Sequence, residues 1–221
     1  TPSQAAPPTA PTLLPEAPAA AEAAPTPDVL DVAFPAGVPT DAAQSLTPIT
    51  YGTPTFGADA KQGPVMTVDG VDDAIGFPFE DQWSKLTTGV SVECVFRIDT
   101  AMPVTGEKDL CSDKEAGGIS MYVNGPNLGF MAHVGGGYKS ALTPIEGNRW
   151  YHAVATWDGS QIRLYVNGQL AQTTAATGAL TFPATTSRRF VVGADAGPTG
   201  IGQPAPPSTF AASGVFSRAV T

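Results

Sequence analysis

Apolar and polar positions alternate with a period of two along most of the chain, and the densest run of this pattern lies between Arg149 and Leu170. There Trp150, His152, Val154 and Thr156 alternate with Tyr151, Ala153, Ala155 and Trp157, a strand rich in aromatic and β-branched residues. Asp158-Gly159 supplies a turn in which glycine takes a positive φ without a Cβ clash, and Ile162, Leu164 and Val166 then resume the alternation. Asn167-Gly168 reverses the chain once more into Gln169-Leu170-Ala171. The pattern predicts three antiparallel strands in this stretch.

The same reading predicts further short strands. They are Asp28 to Phe34, Ile49 to Phe56, Val65 to Val71, Val90 to Ile98, Ile119 to Val123, Leu128 to Val134, Tyr138 to Leu142, Leu180 to Phe182, Phe190 to Gly193 and Thr209 to Phe216. In Val90 to Ile98, alternation places Val90, Val92, Cys94, Phe96 and Ile98 on one face, which is the core face. Pro54 assigns Ile49 to Phe56 to a sheet edge, because proline donates no ladder hydrogen bond. Asn124-Gly125 and Gly135-Gly136-Gly137 close the two strands around them as a hairpin. About a dozen short strands without a helical period predict an all-β fold of two packed antiparallel sheets. Residues 1–27 are Pro, Ala, Thr and a few acids, with Leu13-Leu14 as their apolar bulk, so they are expected to form an extended spacer ahead of a single domain, 28–221.

The stretch WYHAVATWDG followed by IRLYVNGQL resembles the signature hairpin of laminin G-like domains within the concanavalin A-like sandwiches. Val68 to Asp73, Val90 to Ile98, Phe190 to Asp195 and Val215 to Thr221 resemble other strands of that family, so the resemblance spans roughly Asp28 to Thr221. It implies a jelly-roll sandwich. It also implies the role of a module appended to secreted or surface enzymes of bacteria, calcineurin-like metallophosphoesterases among them, with an upstream or associated enzyme as partner.

Composition narrows the function. Twenty acidic against eleven basic residues give a net charge of −9, which repels phosphate backbones, so nucleic acid is not an expected partner. No apolar run approaches the ~20 residues of a bilayer-spanning helix. The chain begins at Thr1 rather than Met, which fits processing, an expression boundary or a segment of a longer polypeptide equally well. Cys94 and Cys111 lie in neighbouring strand regions, and two readings stay open for them, a disulfide in an exported protein or a pair of buried thiols.

Catalytic signatures are incomplete. Related glycoside hydrolases of the laminarinase type carry a strand motif E-x-D-x-x-E, and Glu107-Lys108-Asp109-Leu110-Cys111-Ser112 ends in serine where the third carboxylate belongs. That segment is expected to be a solvated, charged loop. His152 is expected to be a packed, hydrogen-bonded strand residue. His133 faces away from Phe130, Ala132 and Val134, and with Tyr138 beyond the triple-glycine turn it forms a candidate ligand platform bordered by Asp113, Lys114 and Glu115. The resemblance also implies a structural calcium, for which Asp69, Asp72, Asp73 and Asp195 are the candidate ligands, although no cofactor is required. Phe210-Ala211 stands where the family carries an Ile-Asp pair, and turn chemistry accounts for Asp69-Gly70 and Asp72-Asp73 as well. The expected function is a non-catalytic recognition or docking module, extracellular or at the cell envelope, that binds a glycan or a protein. A carbohydrate-active hydrolase or lyase on the same fold, and a structural subunit of an envelope or particle assembly, are the alternatives.

Overall fold

The structure is a computed structural model that describes residues 25–79, 82, 85–86, 88–182, 189–198 and 200–220. Most of the expected spacer, residues 1–24, lies outside them, as does Thr221 at the end of the last strand pattern. In chain order the strands are β1 (Leu30–Ala33), β2 (Thr40–Asp41), β3 (Ile49–Tyr51), β4 (Thr55–Asp59), β5 (Gly63–Val68), β6 (Ala74–Pro78), β7 (Val90–Ile98), β8 (Val104–Lys114) and β9 (Gly118–Gly125). They continue as β10 (Asn127–Val134), β11 (Gly137–Pro144), β12 (Trp150–Trp157), β13 (Gln161–Val166), β14 (Gln169–Ala175), β15 (Arg189–Val192), β16 (Ala194–Ala196), β17 (Ile201–Pro204) and β18 (Ser208–Phe216). A single 3-10 turn, Pro35–Gly37, is the one helical element among the described residues.

Two antiparallel sheets make an all-β sandwich of jelly-roll type. The first runs β14-β13-β12-β7-β18-β1-β2, with β5 on β18 and β4 on β5; the second runs β11-β10-β9-β8-β15-β6-β3. A separate ribbon pairs β16 with β17. Period-two alternation fills the space between the layers. Val90, Val92, Cys94, Phe96 and Ile98 of β7 are fully buried, and they meet Met121, Val123, Leu128, Phe130 and Val134 of β9 and β10 in one core. Each side chain of this size contributes about 1.5–3 kcal/mol by leaving water. Trp157 is buried whole because its Nε1 donates to the Ala176 carbonyl at 2.8 Å, which leaves no orphaned polar edge.

The hairpins expected between Arg149 and Leu170 are present. Asp158 Oδ1 accepts from the amides of Ser160 and Gln161, each at 3.0 Å, and holds the first turn. Asn167 at φ 52 and Gly168 at φ 78 form the second, in the left-handed pair that a tight hairpin requires. His152 is packed and hydrogen-bonded as expected, its Nε2 lying 2.6 Å from Glu93 Oε1.

Three expectations change. Ile49 to Phe56 is two strands rather than one, β3 in the second sheet and β4 in the first, because Gly52 at φ 61 and Pro54 break the ladder between them. Leu180 to Phe182 contributes an isolated bridge to Val134 and no strand. Glu107 to Ser112, expected to be a solvated loop, lies inside β8 in the middle of the second sheet, paired with β9. Glu107 and Asp109 pair with Lys114 further along the same strand, and so charge density misleads as a sign of a loop. Cys94 and Cys111 also meet differently from neighbouring strands of one sheet, since β7 and β8 belong to opposite layers and the two sulfurs touch across the core, 2.7 Å apart.

Candidate recognition face on the second sheet

The alternation that sends Ile119, Met121 and Val123 of β9 inward turns Ser120 and Tyr122 outward, and on β10 it turns Gly129, Met131 and His133 outward. Tyr122 stands opposite Gly129, where any Cβ would come within 2.6 Å of the Tyr122 ring. Glycine there makes room for the aromatic ring. On β8 an irregularity between Asp109 and Cys111 puts Leu110 and Cys111 both in the core while Asp109 joins Ser120 on the outer face.

The result is a polar cavity of about 380 Å³ whose lining includes Glu107, Lys114, Glu115, Tyr122, Tyr138 and Asp195. A second hollow of about 280 Å³ adjoins it, sharing Glu107, Lys114 and Asp195 and adding Asp109 and Gln203. Lys114 Nζ sits 2.5 Å from Glu107 Oε1 and 3.1 Å from Asp109 Oδ2, and Ser120 Oγ donates to Asp109 Oδ1 at 2.8 Å. Asp109 is only 2 % exposed, so these partners stand in for water around its charge. Burial opposes the Lys114 ammonium, but Asp109 and Glu107 more than offset this, and its pKa stands above the ordinary lysine value.

Asp195 arrives from β16, in the ribbon, and meets Asp109 from across the hollow. Burial, followed by the hydrogen bond to Asp109 and the repulsion of its charge, pushes the Asp195 carboxyl up to about 8. At neutral pH Asp195 therefore keeps its proton. Gly202 of β17 permits the approach, because a Cβ there would lie 2.7 Å from Asp195 Oδ2.

The aromatic side of the cavity is held equally firmly. The Tyr138 hydroxyl donates to the Gly117 carbonyl at 2.7 Å and accepts from the Gly117 amide at 2.8 Å, which fixes a ring that remains 40 % exposed. His133 pairs with Tyr138 across the hairpin and packs edge-on against it, ring centres 5.0 Å apart. The expected partnership of these two residues is therefore present, and Lys114 and Glu115 border it. Asp113 does not. It is 1 % exposed and opposite the core residue Ile119, on the face of β8 away from Lys114.

The four carboxylates expected around calcium are divided. Asp69, Asp72 and Asp73 gather with ligand oxygens within 4.8 Å of one another, whereas Asp195 belongs with Asp109. Asp73 accepts from the amides of Thr53 at 2.6 Å and Asp69 at 3.2 Å, and Asp69 accepts from the Val71 amide at 2.8 Å. Turn chemistry already occupies three of those oxygens. Sequence reasoning missed Tyr122, Ser140 and Gln203 at the cavity and set Glu107 and Asp109 aside. The outward positions of β9 and β10 gave a usable signal for Tyr122, but nothing local pairs β16 with β8.

The outer face of the first sheet offers a contrasting groove of about 220 Å³, lined by Pro25, Val154, Tyr165, Phe216 and Val220 with the His152 and Glu93 pair. Among the described residues no helix is long and apolar enough to cross a membrane.

Two antiparallel layers in jelly-roll order, with a polar aromatic hollow on the outer face of one, define a concanavalin A-like sandwich. The laminin G-type family model described as the Concanavalin A-like lectin/glucanases superfamily matches residues 69–218, and the chain belongs to that family. No curated protein matches it. Among solved structures it is similar to the receptor binding domain of botulinum neurotoxin C/D mosaic serotype, with a TM-score of 0.68, 13% identity, and coverage of 87% of this chain and 48% of that one. It is also similar to the binding domain of botulinum neurotoxin DC solved in complex with rat synaptotagmin II, with a TM-score of 0.69, 11% identity, and coverage of 87% and 48%. The chain spans about half the length of these structures, and at such identities the likeness shows the fold alone.

Proposed function

We propose that this chain is a non-catalytic recognition module, exported to the cell envelope or beyond, and that the outer face of its second sheet binds a glycan. The observation that carries this reading is Tyr138. Its ring is exposed, pinned from both sides of its hydroxyl by Gly117, and bordered by the carboxyl groups of Glu107 and Asp195. The C–H bonds of a sugar ring stack on a fixed aromatic face without further loss of side-chain freedom, and carboxylates accept hydrogen bonds from the sugar hydroxyls. A protein partner can use the same platform, and the synaptotagmin II complex of a structural neighbour supports that variant of the reading.

Hydrolysis is the second reading, favoured by Glu107, Asp109 and Asp195 lying in one hollow. A retaining glycosidase needs a free nucleophile about 5 Å from a proton donor. Here Lys114 holds Glu107 and Asp109 together. Both β8 carboxylates are thus already engaged by one ammonium group.

A glycan array and a polysaccharide panel assayed for released reducing ends or unsaturated products test both readings. Retention on the array without product, lost in Tyr138→Ala, is expected. Sustained turnover abolished by Glu107→Gln or Asp109→Asn would replace recognition with catalysis.

A further inference from the structure

We propose that Cys94 and Cys111 are joined by a disulfide that staples the two sheets together and anchors the strand bearing the recognition face. Cys94 stands in the middle of β7 in the first sheet and Cys111 in β8 of the second, 17 residues apart in sequence and in contact through their sulfurs. Both side chains are fully buried in the one core that the layers share. The two cysteines stand here as thiols with their sulfurs 2.7 Å apart, against about 2.05 Å in a disulfide, so the bond needs only a short approach of two sulfurs already held face to face.

Consequences follow for the face on the other side of β8. Glu107, Asp109 and Lys114 flank Cys111 on the same strand, so a covalent tie at Cys111 fixes their depth relative to the first sheet. β8 also carries irregularities on both sides of Glu107 and Asp109, where ladder bonding is weakest.

The chemistry balances with an external disulfide as oxidant. One cysteine thiolate attacks it and releases one thiol; the second cysteine thiolate then attacks the mixed disulfide and releases the other. Two protons and two electrons pass from the cysteine pair to the oxidant. Burial, and then contact with Cys111, pushes the Cys94 thiol well above its ordinary pKa, so exchange in the closed sandwich is slow. The bond therefore forms while the layers are still assembling, in an oxidising compartment.

The test uses the full chain produced by secretion into the bacterial periplasm, denatured and treated with iodoacetamide before and after reduction. The expected intact masses show no carbamidomethyl group before reduction and two after it. Two adducts before reduction, or one adduct with a covalent dimer, would overturn the proposal. Closing a loop of this length also predicts that reduction lowers the thermal midpoint by about 6–12 °C. A bonded protein whose midpoint does not move on reduction would refute the anchoring role. Neither result depends on whether the face binds a glycan.

Discussion

The outer faces of the two sheets come from the same alternating pattern and have been put to different uses. On the first sheet the outward polar groups are paired one to one between neighbouring strands or within a turn, His152 of β12 with Glu93 of β7 beside an apolar groove and Arg163 with Asp158. On the second sheet Lys114 draws Glu107 and Asp109 together along β8 itself, and Asp195 of the ribbon closes the hollow that they begin. Charge that is paired locally stabilises a surface. Three carboxyl groups gathered around one ammonium, with an exposed ring beside them, make an arrangement that folding alone does not demand.

The contrast can be broken or sharpened in several ways. The two layers share one core, so the largest effect expected is loss of either face when that core is cut. Trp157→Ala removes a fully buried indole and its bond to Ala176 and should cost about 3–5 kcal/mol in denaturant unfolding, with both faces lost together. Next, Tyr138→Ala should weaken glycan retention by at least about tenfold, about 1.4 kcal/mol, while Tyr165→Ala on the first sheet leaves it within about twofold. Equal losses in the two variants would erase the distinction between the faces.

A further effect concerns pH. Asp195 has a folded pKa of about 8 against an ordinary value of 3.8, so its contribution to stability is fully present below pH 3.8 and is lost as pH rises through 8. Asp195→Asn keeps a neutral side chain throughout. The midpoint of the wild type should therefore fall relative to the variant between pH 4 and pH 8 and run parallel to it above that range. A constant difference would mean that the Asp195 carboxyl is not held above its ordinary pKa. Smallest of all, adding calcium to chelator-treated protein should leave the midpoint in place, because backbone amides already occupy oxygens of Asp69 and Asp73. A midpoint that rises with calcium concentration would make the Asp69, Asp72 and Asp73 turn a metal site.

The parts of the molecule legible in the sequence are those decided by neighbours along the chain. Val90 to Ile98 and Trp150 to Trp157 coincide with β7 and β12, and the turns at Asp158-Gly159, Asn167-Gly168 and Gly135-Gly136 are where their residues place them. The pairing of His133 with Tyr138 was readable for the same reason, since both flank one tight turn. What local pattern did not reveal was sheet membership and long-range pairing. Nothing in Glu107-Lys108-Asp109 distinguishes an exposed charged loop from a central strand whose carboxylates are paired with Lys114. Asp195 looked like a partner of Asp69, Asp72 and Asp73 because carboxylates in loops look alike until topology separates them. Asp113 lies on the core side of β8 because a strand with an irregularity between Asp109 and Cys111, rather than a loop, decides which side chains of this segment turn outward.

The most direct measurement is amide shift mapping of the full chain titrated with a panel of neutral oligosaccharides. The largest shifts should fall on Lys114, Gly117, Tyr122, Tyr138 and Asp195, and Tyr138→Ala should abolish them. Shifts confined to Val154, Tyr165 and Phe216, or unchanged binding in Tyr138→Ala, would contradict the assignment of recognition to the second sheet.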